Sequence, residues 1–110
     1  GYGRLLLSED GALLGIVEER DASSEEKNIQ LVNTGIYCFD RLFLEETLPL
    51  LSSNNDQGEF YLTDLVARAV EKGKTVMCCL ADSPEELMGI NSPEELARAE
   101  EVLNIREKSL

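Results

Sequence analysis

The stretch NTGIYCFD, residues 33–40, decides how the fold of the surrounding chain is predicted. Its β-branched and aromatic side chains suit a pleated, half-buried surface, and with the residues before them they predict a strand over residues 30–39. Asn33 and Gly35 are also common turn residues, because both tolerate the backbone dihedrals that turns need. The Asn33 amide offers one acceptor and two donors, so it can equally bind the hydroxyl groups of a ligand. This stretch alone leaves both roles open.

The composition excludes several classes of function. The 110 residues carry 10 basic and 22 acidic side chains, a net charge of −12, which disfavours binding to nucleic acids and to anionic membranes. The chain has no histidine, which excludes histidine-based acid–base catalysis, Ser-His-Asp triads and histidine metal sites within it. It contains neither a long apolar run nor a signal peptide, so we expect a soluble, cytoplasmic protein.

The cysteine pattern predicts an intracellular protein, and the apolar run and the start of the sequence lead us to expect a piece of a larger domain. Cys38, Cys78 and Cys79 have neither the even number of a disulfide framework nor the CxxC spacing of a zinc site. The apolar run TVMCCLA, residues 75–81, predicts a strand covered on both faces, with buried thiols. Such a strand needs more neighbours than the chain offers, and the sequence opens without a methionine. We therefore expect missing strands upstream and exposed apolar surface that promotes self-association.

Strands alternate with helices along the chain, which predicts an α/β layer structure. Two apolar runs around an Asp-Gly pair in residues 4–19 predict a β-hairpin, and DASSEEK, residues 21–27, predicts a short helical turn. Apolar spacing predicts a helix that ends near Pro49 and an amphipathic helix over residues 60–73 that ends at a glycine. The final helix starts in the Asn-Ser-Pro-Glu-Glu run, residues 91–95.

Three further motifs carry polar groups suited to ligand binding, and each has a structural alternative. In GYGR, residues 1–4, a glycine N–H and Arg4 could approach a ligand phosphate or could simply form a turn. Glu18, at the end of the predicted hairpin, could accept two hydrogen bonds from sugar hydroxyl groups or could be an exposed edge charge. Asn91, in the motif GIN, could ligate a hard cation such as Mg²⁺ or could cap the final helix.

Taken in order, GYGR, the hairpin ending in IVEE, NTGIY, QGEFYLTD (residues 57–64) and GIN resemble one enzyme family. From residue 1 to about residue 105, the chain is similar to the C-terminal half of the uridyltransferase domain of the bacterial bifunctional N-acetylglucosamine-1-phosphate uridyltransferase/glucosamine-1-phosphate acetyltransferases. These enzymes form a branch of the sugar-1-phosphate nucleotidyltransferases, and QGEFYLTD together with GIN indicates that branch. The resemblance implies an α/β fold class, a fragment of a Rossmann-like (nucleotide-diphospho-sugar transferase) mixed sheet with flanking helices.

The resemblance also implies roles for individual residues. The backbone N–H of Gly3 would donate to the sugar nucleotide, and Glu18 and Asn33 would bind the N-acetylglucosamine moiety. Asn91 would ligate Mg²⁺, the expected cofactor. Tyr61 would shape the wall of the pocket without contacting the ligand. The resemblance assigns no residue of this chain a certain catalytic role.

The implied reaction converts UTP and N-acetylglucosamine 1-phosphate to UDP-N-acetylglucosamine and pyrophosphate, in the synthesis of a peptidoglycan precursor for the cell wall. Protein groups and Mg²⁺ would position the reactants, and a sugar phosphate, already an anion, needs no general base. In the family the nucleotide-binding half precedes GYGR, and a β-helical acetyltransferase domain that sets a homotrimer follows. Residues 1–110 would then be only the sugar-binding half of the first domain, which we expect to be inactive alone.

Two alternative functions remain open from the sequence. The chain could come from a nucleotidyltransferase for another sugar 1-phosphate, against which the QGEFYLTD segment argues. It could also be a non-catalytic α/β interaction module that shares the fold, which an upstream sequence without a glycine-rich triphosphate loop would favour.

Overall fold

The computed structural model describes residues 1–109. These residues form two compact units, of which the first is Gly1–Cys78 and the second begins at Cys79. The first unit contains a two-stranded antiparallel sheet and two α-helices, and the second contains one long helix. The predicted α/β class is confirmed, and the architecture is consistent with a fragment of a Rossmann-like sheet. None of the helices in the described range is long and apolar enough to cross a membrane.

The predicted β-hairpin is present in the first unit. β1 (Arg4–Leu7) pairs antiparallel with β2 (Leu13–Val17), and Arg4 lies opposite Val17. The connection contains Gly11 at φ 86°, a left-handed conformation that glycine adopts without a steric penalty. The pairing also brings together the residue just before β1 and the residue just after β2, at the open end of the hairpin.

The strand predicted over residues 30–39 is wrong for most of its length. Only residues 31–33 run beside β1, where the Leu5 N–H donates to the Leu31 carbonyl over 3.0 Å. The chain then turns at Gly35, whose φ of 81° is a left-handed turn conformation. Strand-type side chains follow this turn, but the backbone has already left β1 and forms no further pairs with it.

The strand predicted for TVMCCLA, residues 75–81, is also wrong. Met77 and Leu80 are 84% and 74% exposed, and the thiols of Cys78 and Cys79 are exposed where burial was predicted. A continuous apolar strand needs hydrogen-bonded neighbours and cover on both faces. In the part of the chain that the structure describes, the sheet has only the two strands of the hairpin. The expectation of exposed apolar surface is met in this segment.

The core of the first unit lies between α1 (Arg41–Thr47) and α2 (Asp64–Glu71). Its centre is formed by Phe43, Leu65 and Ala69, of which Leu65 is fully buried. The buried positions of α2 recur three and four residues apart, so its predicted amphipathic pattern is confirmed. The same helix packs on β2, which fixes its N-terminus near the open end of the hairpin.

The helix boundaries follow the capping chemistry closely. The Asp40 carboxylate caps α1, which is followed by a 3₁₀ turn containing Pro49, close to the predicted helix end. The helix predicted over residues 60–73 begins later, at Asp64, because the residues before it form turns. It ends as predicted at a glycine, since Gly73 has a φ of 71° and donates its N–H back into the last turn.

The helical turn predicted in residues 21–27 is present as a 3₁₀ turn at Glu26–Asn28. Ser23 and Glu26 exchange two hydrogen bonds ahead of it: the Glu26 N–H donates to the Ser23 hydroxyl over 3.1 Å, and the Ser23 N–H donates to the Glu26 carboxylate over 2.9 Å. This reciprocal pair is a capping box, which satisfies backbone donors at the start of the turn.

In the second unit, α3 (Pro93–Ser109) is capped by Ser92, whose hydroxyl oxygen accepts the Glu95 N–H over 3.1 Å. The prediction that Asn91 caps this helix is therefore wrong. The Asn91 N–H instead donates to the Glu95 carboxylate. Serine and asparagine are comparable caps, and serine takes the role here because it directly precedes Pro93, which occupies the first helical position.

Candidate functional site

Three of the four residues implied by the resemblance meet at the open end of the hairpin. Because Arg4 lies opposite Val17, the next pair outward along the antiparallel ladder is Gly3 and Glu18. Asn33 joins them, since its backbone N–H donates to the Gly3 carbonyl over 2.8 Å. We refer to Gly3, Glu18 and Asn33 as the open-end site.

Gly3 leaves room beside the Glu18 carboxylate. Gly3 is buried, and a Cβ atom placed on it would lie 3.5 Å from Glu18 Oε2. The same atom would lie 3.1 Å from Cγ2 of Ile16 and 3.4 Å from the Val17 carbonyl oxygen, so any larger residue would crowd β2. Gly3 therefore lies next to the Glu18 carboxylate with no side chain of its own between them.

Glu18 and Glu19 point to different partners, as expected from the alternation of side chains along an extended chain. Glu18 Oε1 accepts a hydrogen bond from the Thr63 hydroxyl over 2.9 Å. Glu19 Oε2 accepts one from the Arg4 guanidinium over 2.6 Å, and this contact holds the pKa of Glu19 below its usual range. The Arg4 guanidinium also donates to the Lys27 carbonyl over 3.3 Å. Arg4 is thus the first residue of β1 and pairs with Glu19, and it does not form the turn given as its structural alternative.

The Asn33 side chain has the turn role that the sequence left open, and it also contacts Tyr37. Its Oδ1 accepts the Gly35 N–H over 3.3 Å, which stabilises the turn, and its Nδ2 donates to the Tyr37 hydroxyl over 2.8 Å. An asparagine amide has two donor hydrogens, and the second has no acceptor among residues 1–109. Burial raises the pKa of Tyr37, and the negative charge of Glu18 raises it further. The turn therefore presents a polar group toward the open-end site.

The segment QGEFYLTD, residues 57–64, forms the wall behind Glu18. The Thr63 hydroxyl reaches the Glu18 carboxylate, and the buried Tyr61 hydroxyl accepts a hydrogen bond from Gln57 Nε2 over 2.8 Å. Burial raises the pKa of Tyr61. At Asp64 burial also raises the pKa, and the negative charges of Asp21 and Glu18 add to the effect. Tyr61 and Thr63 are therefore the buried residues of this segment, and they lie next to the acidic Asp64.

Asn91 lies in the second unit, where its side chain is exposed. An amide oxygen is a suitable ligand for a hard cation, and Mg²⁺ is commonly held by one or two protein oxygens together with waters and phosphate groups. Within the described residues, no three or more aspartate, glutamate, cysteine or histidine side chains are grouped to hold a metal ion. The chain therefore offers a single amide ligand at this position and no protein cage.

Sequence reasoning missed two residues of this site. Thr63 falls in the QGEFYLTD motif and within the helix predicted over residues 60–73, and its contact with Glu18 spans 45 residues of sequence. Tyr37 was assigned to a strand, and its contact with Asn33 depends on the turn between them. No local signal identifies the Thr63 contact. The Asn33–Tyr37 spacing of four residues around a glycine could have suggested that the chain folds back on itself.

Comparisons with known proteins identify relatives that share much of this sequence. No protein-family model matches the chain. Over 106 residues it is 50% identical to the bifunctional protein GlmU of Clostridioides difficile (strain 630), and over 106 residues it is 44% identical to that of Pelobacter propionicus. Over 105 residues it is 47% identical to GlmU of Desulfotalea psychrophila.

Each of these matches covers 96% of the chain but only 23%, 23% and 31%, respectively, of the relative. The chain thus spans about a quarter to a third of the length of the curated relatives it matches. Because each match covers nearly the whole chain, it includes the segments NTGIY and QGEFYLTD, which lie well inside the chain. The resemblance inferred from the sequence is confirmed: over nearly its whole length, this chain is homologous to a segment of the GlmU proteins.

Proposed function

We propose that the chain is the sugar-binding half of a uridyltransferase domain, and that the parent protein converts UTP and N-acetylglucosamine 1-phosphate to UDP-N-acetylglucosamine and pyrophosphate. The observation that carries this proposal is the convergence of Gly3, Glu18 and Asn33 at the open end of the hairpin. The similarity to the bifunctional GlmU proteins supports it. The product would serve peptidoglycan precursor synthesis in the cytoplasm.

The polar groups of the open-end site match a polyhydroxylated ligand. Glu18 Oε2 is a charged acceptor with no hydrogen-bond partner among residues 1–109, and the second Asn33 amide hydrogen is a donor. Sugar hydroxyl groups can satisfy both, because each hydroxyl donates one hydrogen bond and accepts others. The absence of a side chain at Gly3 lets a ligand approach both groups.

The local charge indicates which part of a sugar phosphate binds here. Glu18 and Asp21 lie close to Asp64, because burial raises the pKa of Asp64 and the negative charges of these two carboxylates raise it further. A phosphate placed among these carboxylates would be repelled, whereas neutral hydroxyl and acetamido groups would not. The site therefore suits the sugar ring, and the phosphates of both substrates would lie away from it.

The chemistry is a displacement at phosphorus. An oxygen of the sugar phosphate attacks the α-phosphorus of UTP, a new P–O bond forms, and the bond to the departing pyrophosphate breaks. The residues of this chain bind and orient the sugar, which holds its phosphate oxygen in position for attack. Mg²⁺, for which Asn91 is the proposed ligand, supplies charge neutralisation at the phosphates when bound. No group on the chain has to remove a proton.

The remaining parts of the reaction belong to sequence outside this chain. We propose that a nucleotide-binding half precedes it, that a β-helical acetyltransferase domain follows it, and that the parent is a homotrimer. The isolated chain should then be inactive. Its exposed apolar residues, among them Ile36, Phe60, Met77 and Leu80, should promote self-association.

The test is pyrophosphate release by the longest native chain that contains this segment, supplied with Mg²⁺, UTP and a panel of sugar 1-phosphates. We expect turnover that is selective for N-acetylglucosamine 1-phosphate over the 1-phosphates of glucose and mannose. Selective turnover of another sugar 1-phosphate would assign the same chemistry to a different substrate. No turnover from a well-folded protein would refute the enzyme proposal and favour an interaction module.

A further inference from the structure

Thr63 occupies the N-cap position of α2 but does not cap the helix. A threonine at this position ordinarily accepts a hydrogen bond from a backbone N–H in the first turn. Here its backbone is helical, at φ −58° and ψ −26°, and its side chain makes no capping hydrogen bond. Its hydroxyl donates instead to Glu18 Oε1 over 2.9 Å. The side chain is therefore used for a contact that serves Glu18 and not the helix.

The contact is well shielded and fixes one end of the carboxylate. Thr63 is only 5% exposed, and a hydroxyl group has a single hydrogen to donate. Because that hydrogen is given to Oε1, the Glu18 carboxylate cannot rotate freely about its terminal bond. Oε2 then remains on the side of Gly3, which has no side chain to contact it.

We infer that Thr63 is a positioning residue for Glu18, an inference that rests on the proposed function. Its hydroxyl holds Oε1 so that Oε2 faces the space beside Gly3 and accepts a hydrogen bond from a hydroxyl group of the sugar. A hydrogen bond to a charged acceptor depends on direction, so a carboxylate fixed in advance binds better than one that must be ordered by the ligand. Thr63 itself need not touch the sugar.

The surroundings of Glu18 explain why a neutral donor is needed here. Asp64 directly follows Thr63, and both Asp64 and Tyr37 respond to the charge of Glu18. Without the Thr63 hydroxyl, Glu18 would lose its hydrogen-bond donor and keep Asp64 and Tyr37 as neighbours. We expect its carboxylate to turn toward water. Oε2 would then leave the Gly3 side of the site.

The test uses the full-length native protein and steady-state kinetics with N-acetylglucosamine 1-phosphate. Thr63→Val keeps the shape of the side chain and removes the donor, whereas Thr63→Ser keeps the donor. We expect Thr63→Val to raise the KM for the sugar phosphate about tenfold with a smaller effect on kcat, as for loss of a hydrogen bond made in ground and transition states alike. Thr63→Ser should restore KM to within about threefold of wild type.

A double-mutant cycle with Glu18→Ala, which removes the carboxylate and leaves no acceptor for the Thr63 hydroxyl, separates positioning from general stability. If Thr63 acts through Glu18, then Thr63→Val in the Glu18→Ala background should change KM less than about twofold, because coupled residues are not additive. A residue that only maintains the fold would give independent, additive effects. Thermal unfolding of each variant reports on the fold, and Thr63→Ala replaces Thr63→Val in the same cycle if the valine variant does not fold.

The outcomes distinguish this inference from the function on which it rests. Wild-type protein that turns over no sugar 1-phosphate would overturn the proposed function, and the inference with it. Active wild-type protein whose KM is unchanged by Thr63→Val, or whose Thr63 and Glu18 effects are additive, would overturn the inference alone. A KM increase that is absent in Thr63→Ser and that disappears in the Glu18→Ala background would support it.

Discussion

Replacing Gly3 by alanine should weaken sugar binding far more than it weakens the fold. The added Cβ would lie 3.5 Å from Glu18 Oε2, an ordinary contact, so Glu18 itself is not displaced. On the proposed function, the methyl group would instead lie against Oε2 and hinder its hydrogen bond to a sugar hydroxyl. A hydrogen bond to a charged group contributes about 1.5–3 kcal/mol, so the KM for the sugar phosphate should rise at least about tenfold.

The effect on stability should be smaller. The new Cβ would lie 3.1 Å from Ile16 Cγ2, a few tenths of an ångström too close, and because Cγ2 is bonded directly to Cβ the Ile16 side chain has to rotate or β2 has to move slightly. Overpacking of this kind costs about 1 kcal/mol at the mild end of the usual range. Urea unfolding measures this cost, and pyrophosphate release at varied sugar phosphate concentration measures the KM.

Gly15→Ala provides the matched control. A Cβ on Gly15 would contact the Ala67 Cβ at 3.7 Å, an ordinary van der Waals distance, in the same hairpin but away from its open end. This variant should leave the KM within about twofold of wild type and change stability by less than about 1 kcal/mol. A Gly3→Ala enzyme with wild-type KM, or an equal rise in KM from both variants, would refute the assignment of the open-end site.

Three further predictions concern the fold. Leu65→Ala, at a fully buried position, should lower the free energy of unfolding by about 2–5 kcal/mol, whereas Leu80→Ala, which is largely exposed, should change it by less than about 0.5 kcal/mol in urea titrations. Ser92→Ala, which removes the cap of α3, should lower the free energy of unfolding by about 1 kcal/mol, and Asn91→Ala should lower it much less. A larger loss of stability for Asn91→Ala than for Ser92→Ala would show that Asn91 is the cap. The pKa of Glu19 is lowered, which means that the ionised carboxylate stabilises the fold. Glu19→Gln should therefore lower Tm at neutral pH, and the difference in Tm from wild type should vanish as the pH falls through the lowered pKa. A difference in Tm that does not change with pH would contradict this.

The sequence identifies local elements whose signals lie close together along the chain. The hairpin forms at its Asp-Gly turn, and α2 ends at Gly73, as predicted. The segments 36–39 and 75–81 carry strand-type side chains but pair with nothing in the described structure, because a strand is defined by its neighbours. Residue type alone cannot show whether those neighbours are present.

The site was predictable in part. Gly3, Glu18 and Asn33 follow from recognised motifs, and the hairpin register explains why two of them become adjacent. The Thr63–Glu18 contact joins residues from different elements, so it could not be read from either local pattern. Capping of α3 also could not be assigned from sequence, because serine and asparagine have similar capping preferences and lie side by side.

The most direct measurement is the KM for each of the two substrates in Glu18→Gln full-length protein, with Glu9→Gln as a control that removes the same charge at an exposed position. If the open-end site binds the sugar, Glu18→Gln should raise the KM for N-acetylglucosamine 1-phosphate about tenfold and leave the KM for UTP unchanged, and Glu9→Gln should change neither. An unchanged KM for the sugar phosphate, or an increase confined to UTP, would show that the sugar binds elsewhere.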